Sequence, residues 1–109
     1  MDGRRSGKTL AMVEQLPDSG AIVIVHTKAM QEYLQQMIRD VRGAEVADAS
    51  RVVIVTDRQS AERQLTGRSV PIYRDHAFNA WAPLALGAFV RRYVDAVNGA
   101  FGFRVPDFY

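Results

Sequence analysis

The first nine residues have types and a spacing that suit phosphate binding. They read MDGRRSGKT, and the known phosphate-binding loop pattern is G-x-x-x-x-G-K-[ST]. Aligned on Gly7-Lys8-Thr9, the first glycine of the pattern falls on Asp2, and Gly3 follows one place later. In such a loop the backbone N–H groups curl around phosphate oxygens at the positive end of the following helix. The residues predicted to hold the phosphates are Gly3, Arg4, Arg5, Ser6, Gly7, Lys8 and Thr9.

The chemistry of this pattern assigns a role to each side chain. Lys8 would reach the β- and γ-phosphates, and the hydroxyl of Thr9 would bind Mg²⁺. Arg4 and Arg5 would add positive charge beside the anion. The predicted cofactors are therefore ATP, or another nucleoside triphosphate, and Mg²⁺. The alternative is a surface turn that matches the pattern by coincidence.

The composition is that of a soluble globular domain. Apolar residues make up 48% of the 109 residues and charged residues 24%, which predicts a single domain over 1–109. No apolar run approaches the ~20 residues of a membrane span, and the N-terminus lacks an apolar signal region. The chain has no cysteine, which is compatible with a cytoplasmic protein. Arginine outnumbers lysine twelve to two at a net charge of +2, which indicates either a nucleic-acid or nucleotide partner or a GC-rich genome.

Helical and strand patterns alternate along the chain. The β-branched runs at 21–25, 52–55 and 70–73 predict three strands. Helices are predicted at 7–16, from Thr27 to Gly43, at 59–65, and from Pro83 to Gly99. This order predicts a three-layer α/β fold, with a mainly parallel sheet of three or four strands and helices on both faces.

Residues 100–109 form an aromatic tail. Apolar side chains recur in it at Phe101, Phe103, Val105, Phe108 and Tyr109. The tail is predicted to fold over the core of its own domain. Alternatively, it is an exposed patch that docks onto a partner or a second copy.

Three segments together resemble a known family. GRRSGKT, the strand AIVIV and the later segment VPIYRDHAF resemble P-loop NTPases of the helicase and phage-terminase kind, and most of all the small single-domain P-loop proteins of bacteriophages. The resemblance runs from Gly3 to about Phe78. It implies a reduced P-loop NTPase fold of viral origin, in the host cytoplasm. It also implies that Asp75, in the segment DHAF, is the Walker B aspartate that associates with Mg²⁺.

The chain departs from this family in three places. His76 occupies the position of the catalytic glutamate, and an imidazole lacks the permanent negative charge that orients the attacking water. Only two residues precede Gly3, whereas the strand that leads into the loop needs about five. Asp2 places a carboxylate where a glycine lets the backbone approach the phosphates. We therefore expect weak binding and no efficient hydrolysis, with Lys8, Asp75 and His76 as the candidate catalytic residues.

The missing strand also predicts an unpaired sheet edge, where the C-terminal segment or a second protomer could add. His26 and Thr56-Asp57 follow two strands and are expected at the same carboxyl edge as Asp75. Arg91 and Arg92 could act on a neighbouring molecule, or they form a solvated helix face.

Three functions remain open on the sequence. The first is nucleotide or phosphate binding with slow or absent hydrolysis. The second is a non-catalytic module that binds a host or viral protein, or itself, through the sheet edge or the aromatic tail. The third is a nucleic-acid accessory protein, which is expected to carry more net charge than +2.

Overall fold

A computed structural model describes residues 3–66, 70–103 and 105, and for residues 3–6 it describes the backbone alone. Asp2, Phe108 and Tyr109 lie outside the described residues. Six helices and three strands follow one another in the described chain. They are α1 (Gly3–Glu14), β1 (Ile22–Val25), α2 (Lys28–Arg42), α3 (Ala44–Ala49), β2 (Arg51–Ile54), α4 (Arg58–Leu65), β3 (Ile72–Arg74), α5 (His76–Trp81) and α6 (Leu84–Ala100).

The three strands form one parallel sheet in the order β2-β1-β3. Strand β1 lies in the middle and all four of its residues are buried, as its β-branched sequence predicts. Ile22 lies opposite Arg51 of β2 and Ile72 of β3, so the three carboxyl ends meet at one edge of the sheet. The prediction of an α/β fold with a parallel sheet is confirmed.

Helices pack on both faces of the sheet. The evidence is that alternate residues of β1 belong to different core clusters. Val23 and Val25 pack in one cluster with residues of α1, α2 and α3. Ile22 and Ile24 pack in a second cluster with residues of α4, α5 and α6. We call these the α1 face and the α6 face of the sheet. No helix in the described part of the chain is both long and apolar enough to cross a bilayer.

The predicted helix boundaries hold where capping residues set them. The hydroxyl of Thr27 accepts from the N–H of Met30 at 3.1 Å and caps α2, which ends at Gly43 with a φ of 94°. The helix predicted to begin at Pro83 begins one residue later, at Leu84, and Pro83 occupies its N-cap position. Each strand lies within two residues of its predicted position.

Other predictions for local structure are wrong. Helix α1 begins at Gly3 and not at Gly7, so the predicted phosphate-binding loop is the first part of a helix. The six-residue helices α3 and α5 were not predicted. Helix α5 lies between Asp75 and Pro83, and a capping carboxylate at Asp75 begins it.

A side-chain amide bonds to one residue on each outer strand of the sheet. On β3, Asn98 of α6 accepts from the N–H of Ile72 at 3.0 Å and donates to its C=O at 3.1 Å. On β2, Nε2 of Gln31 donates to the C=O of Val52 at 2.8 Å. Asn98 thus makes the two bonds to Ile72 that a neighbouring strand would make. The prediction of an unpaired edge is wrong at Ile72.

The described part of the aromatic tail is divided between core and surface. Val105 packs against the core of the α1 face, as predicted for a tail that folds over its own domain. Phe101 is 55% exposed, and its ring lies 5.8 Å from that of Phe103. Of the other tail residues singled out, Phe108 and Tyr109 are not among those described.

Candidate functional site

Thr9 and Asp75 form a buried pair at the carboxyl edge of the sheet. Oγ1 of Thr9 donates to Oδ1 of Asp75 at 3.2 Å, across 66 residues of sequence. Their exposed fractions are 1% and 0%. The two residues predicted to bind Mg²⁺ are therefore in direct contact.

The amphipathic pattern of α1 directs Thr9 inward. Thr9 precedes Met12 and Val13 by three and four residues, and all three are buried on the same side of the helix. Asp75 directly follows β3 and donates its own N–H to the C=O of Ile24 at 3.0 Å. Asp75 continues the alternating side-chain pattern of β3 by one residue, so its side chain faces α1.

Hydrogen bonds to carbonyls at the C-terminal end of α1 position this helix on the sheet. Nη1 of Arg42 donates to the carbonyl oxygens of Val13 and Leu16 at 3.0 and 2.5 Å. The hydroxyl of Tyr73 donates to the C=O of Gln15 at 3.2 Å, and burial raises the pKa of this phenol. Carbonyls at a helix end lack partners within the helix, so these bonds satisfy them. They also hold α1 over β3.

Asp75 has a second role as a helix cap. Its Oδ2 accepts from the N–H of Ala77 at 3.0 Å, at the start of α5. None of the ion pairs within the described part of the chain involves Asp75. A buried carboxylate is stabilised by hydrogen bonds or by a cation, and these two bonds leave lone pairs on both of its oxygens.

The Thr9–Asp75 pair fits the chemistry of Mg²⁺ bound with a phosphate. No group of three or more His, Cys, Asp or Glu side chains gathers to hold a metal ion among the described residues. Mg²⁺ does not need such a group, because it commonly keeps several waters and binds to one or two carboxylates together with substrate phosphates. A hydroxyl oxygen beside a carboxylate supplies hard oxygen ligands of this kind.

The remaining residues of the predicted loop lie in the first turns of α1. Gly7 and Lys8 are exposed. In a helix that begins at Gly3, the N–H groups from Gly7 onwards bond to carbonyls four residues earlier. Only the N–H groups of the first turn remain for an anion, in place of the wrapped loop that was predicted. The backbones of Arg4, Arg5 and Ser6 lie in that turn.

His76 and His26 do not join the Thr9–Asp75 pair through any bond in the described chain. His76 is the first residue of α5 and is partly exposed. His26 follows β1, and its ring stacks on Trp81 with centroids 4.7 Å apart at 14°. Nδ1 of His26 is buried without a hydrogen-bond partner among the described atoms. Trp81 is not predicted from the sequence. Its spacing of three residues from Phe78, just after Asp75, nevertheless indicates one face of a helix.

Thr56 and Asp57 serve the local structure of α4. Oδ1 of Asp57 accepts from the N–H of Ser60 at 2.7 Å, and the N–H of Thr56 donates to Oγ of Ser60 at 3.0 Å. Oγ of Ser60 also accepts from the N–H of Asp57 at 3.1 Å, and this bond forms a capping box with the one that the Ser60 N–H donates to Oδ1. The bonds that Ser60 donates lower the pKa of the Asp57 carboxyl. The carboxylate of Asp57 therefore acts as the N-cap of α4.

Comparisons with known proteins give no family for this chain. It matches no family model, no curated protein and no solved structure.

Proposed function

We propose that the protein binds a phosphate-bearing ligand, with ATP or another nucleoside triphosphate and Mg²⁺ as the first candidate, and that it hydrolyses this ligand slowly or not at all. The observation that carries the proposal is the buried hydrogen bond between Thr9 and Asp75. The pattern predicts Thr9 as a Mg²⁺ ligand, and the family resemblance assigns the same ion to Asp75. Their contact supports both assignments at once.

Phosphate binding at this site needs a change in the first turn of α1. The phosphates of the pattern are held by the N–H groups that include those of Gly7 and Lys8, and in α1 these groups lie inside the helix. The turn Gly3–Ser6 must therefore leave the helix when the ligand binds. That rearrangement lowers the affinity, because the ligand has to supply the free energy of unwinding.

Slow or absent hydrolysis follows from the residues beside Asp75. A catalytic carboxylate next to the magnesium-binding aspartate would orient the attacking water, and His76 stands in its position. An imidazole can accept a proton but does not supply a permanent negative charge. A turnover of about 1 s⁻¹ or more by the isolated protein would contradict this part of the proposal.

The first prediction concerns Lys8. A ligand raises the midpoint of thermal unfolding because it stabilises only the state that binds it, by about 2.7 kcal/mol at 100 times Kd. We expect Mg-ATP to raise the midpoint for the natural sequence and not for Lys8→Ala. The matched control is Lys28→Ala, which removes the same charge from the only other lysine and should keep the shift. Equal shifts in both variants would remove Lys8 from the site.

The second prediction separates the effect of Asp75 on Mg²⁺ binding from its effect on folding. In Asp75→Asn the amide oxygen can accept from one donor, and the hydroxyl of Thr9 can turn to accept from the amide NH₂. Asparagine is also a good helix cap. We expect the variant to fold, with an unfolding midpoint close to that of the natural sequence, and to lose the part of ATP binding that depends on Mg²⁺. Titration with ATP in Mg²⁺ and in EDTA measures this, and an unchanged Mg²⁺ dependence would place the metal elsewhere.

A second candidate function is a non-catalytic binding module. An apolar groove lies between α1 and α2, lined by Leu10, Tyr33, Met37 and Val41 among others. Leu10, Tyr33 and Val41 are 37%, 44% and 41% exposed. Contiguous apolar surface of this kind is typical of protein-binding sites. Nucleotide binding is the first candidate because it uses the buried Thr9–Asp75 pair, whereas the groove by itself does not identify a partner.

A further inference from the structure

A pocket on the α6 face carries positive charge that the proposed nucleotide site does not use. It has a volume of about 370 Å³ and lies where the end of β3 meets α5 and the start of α6. The residues that matter for its chemistry are Arg74, Asn79, Pro83, Leu84, Gly87 and Arg91. Arg74 lies opposite Ile24 in the sheet, on the α6 face, whereas Asp75 faces α1. The pocket and the Thr9–Asp75 pair therefore lie on different faces of the sheet.

The side chains around the pocket favour an anion. Among the described residues that line the pocket, two are arginines and none carries a carboxylate. Nη1 of Arg74 lies 3.5 Å from Oδ1 of Asn79, which holds the guanidinium toward α5. Arg91 is exposed and takes part in none of the ion pairs in the described part of the chain. The planar guanidinium of Arg91 is therefore well suited to a phosphate group.

The start of α6 adds to this charge. The helix is 17 residues long, and Pro83 provides no side chain that caps its first N–H groups. The N–H of Gly87 bonds to the C=O of Pro83 at 2.8 Å, which leaves the N–H groups of 84–86 as the ones without a partner four residues earlier. The positive end of the helix dipole thus lies beside the arginine-lined cavity.

We propose that this pocket binds the phosphate group of a small molecule. Its volume is at the lower end of the range for small-molecule sites, about 300–1,000 Å³. A nucleic-acid strand is less well matched, because affinity for a strand comes from many phosphate contacts and the whole chain has a net charge of +2. Leu84 is 91% exposed at the rim, where the organic part of the ligand would contact it.

Inorganic pyrophosphate is the probe for this site. We expect saturable binding in ¹H–¹⁵N spectra, with the largest shifts in the amides of 84–87, and a loss of affinity as salt is added. Arg91→Ala should weaken binding by about tenfold or more, as expected for one charged hydrogen-bonding group. The matched control is Arg92→Ala, since Arg92 is an exposed neighbour on α6 that does not line the pocket. Arg92→Ala should keep the affinity of the natural sequence.

The remaining arms separate this site from the proposed nucleotide site and from nucleic acid. Thr9→Val should leave the shifts in 84–87 unchanged, even if it abolishes binding of Mg-ATP. Equal losses in Arg91→Ala and Arg92→Ala, or no saturable shift in 84–87, would overturn the proposal. So would loss of those shifts in Thr9→Val. A short single-stranded oligonucleotide that binds far more tightly than pyrophosphate, through the same amides, would overturn it in favour of a nucleic-acid surface.

Discussion

Gly20→Ala is expected to lower the free energy of unfolding by about 3–5 kcal/mol, as the sum of backbone strain and overpacking. Gly20 has a φ of 101°, a conformation that side-chain-bearing residues rarely adopt. A β-carbon at this position would lie 2.1 Å from the carbonyl oxygen of Ala49 and 2.6 Å from its carbonyl carbon. Both atoms belong to the backbone at the end of α3, so the clash cannot be relieved by a rotamer change. A fall in the unfolding midpoint of more than about 10 °C should result.

Two other glycines separate the clash from the backbone strain. Gly43 has a φ of 94°, but a β-carbon there would meet nothing within 4 Å, so Gly43→Ala should cost only the strain of about 1–2 kcal/mol. Gly99 lies within α6, also with open space around it, and Gly99→Ala should be neutral or stabilising. Chemical denaturation of the three variants measures the series. If Gly20→Ala cost no more than Gly43→Ala, the close approach of Gly20 to α3 would be wrong.

The parts of the fold that local chemistry determines were predictable. The run AIVIV is continuously β-branched and became the buried central strand. Thr27 and Gly43 delimit α2 because each supplies a capping interaction within a few residues of itself. Such signals need no knowledge of the rest of the chain.

The short helices were not predictable from periodicity. Helices α3 and α5 have six residues each, fewer than two turns, so no apolar stripe can repeat in them. Alanine-rich AEVADA, between Gly43 and Ser50, had the propensity for a helix but no pattern. The family resemblance assigns Asp75 to metal binding and catalysis, although an aspartate is equally common at a helix N-cap. In the structure Asp75 contacts Thr9 and caps α5 as well.

The contact between Thr9 and Asp75 in the candidate site was predictable from the sequence, but the backbone conformation of residues 3–6 was not. The pairing of Thr9 with Asp75 was implied by two separate motifs and is present. The conformation of 3–6 could not be read from the residues, because arginine is a good helix former and serine a tolerable one, while glycine allows loop and helix alike. The stack of His26 on Trp81 depends on how α5 packs against the strand ends, which no local signal encodes.

Asn98 stands out in the sequence because it places a polar residue on the apolar stripe of α6. It continues the stripe Leu86, Val90 and Val94 at a spacing of four residues, so the pattern places an amide where the core side of α6 requires an apolar residue. Asn98 is 6% exposed and forms two hydrogen bonds to Ile72. A buried polar residue on an apolar stripe indicates a specific partner, here the edge of the sheet.

Asn98→Leu is therefore expected to destabilise the protein, although leucine is the better helix former and has a similar size. The substitution leaves the N–H and C=O of Ile72 buried without partners, at about 1–3 kcal/mol each. We expect a loss of about 2–5 kcal/mol in the free energy of unfolding, measured by denaturant titration. Gln31→Leu, at the opposite edge, removes a single bond to Val52 and should cost only about 1 kcal/mol.

The same substitution tests what Asn98 does for the surface of the protein. An exposed strand edge invites pairing with another chain, and Asn98 occupies the two groups of Ile72 that such pairing would use. Asn98→Leu should therefore self-associate at concentrations where the natural sequence does not, which sedimentation at several protein concentrations would reveal. A variant that is destabilised yet shows no added self-association would limit Asn98 to a packing role. One that is neither destabilised nor associated would contradict the bonds to Ile72 themselves, since helix propensity alone predicts a gain from leucine at this position.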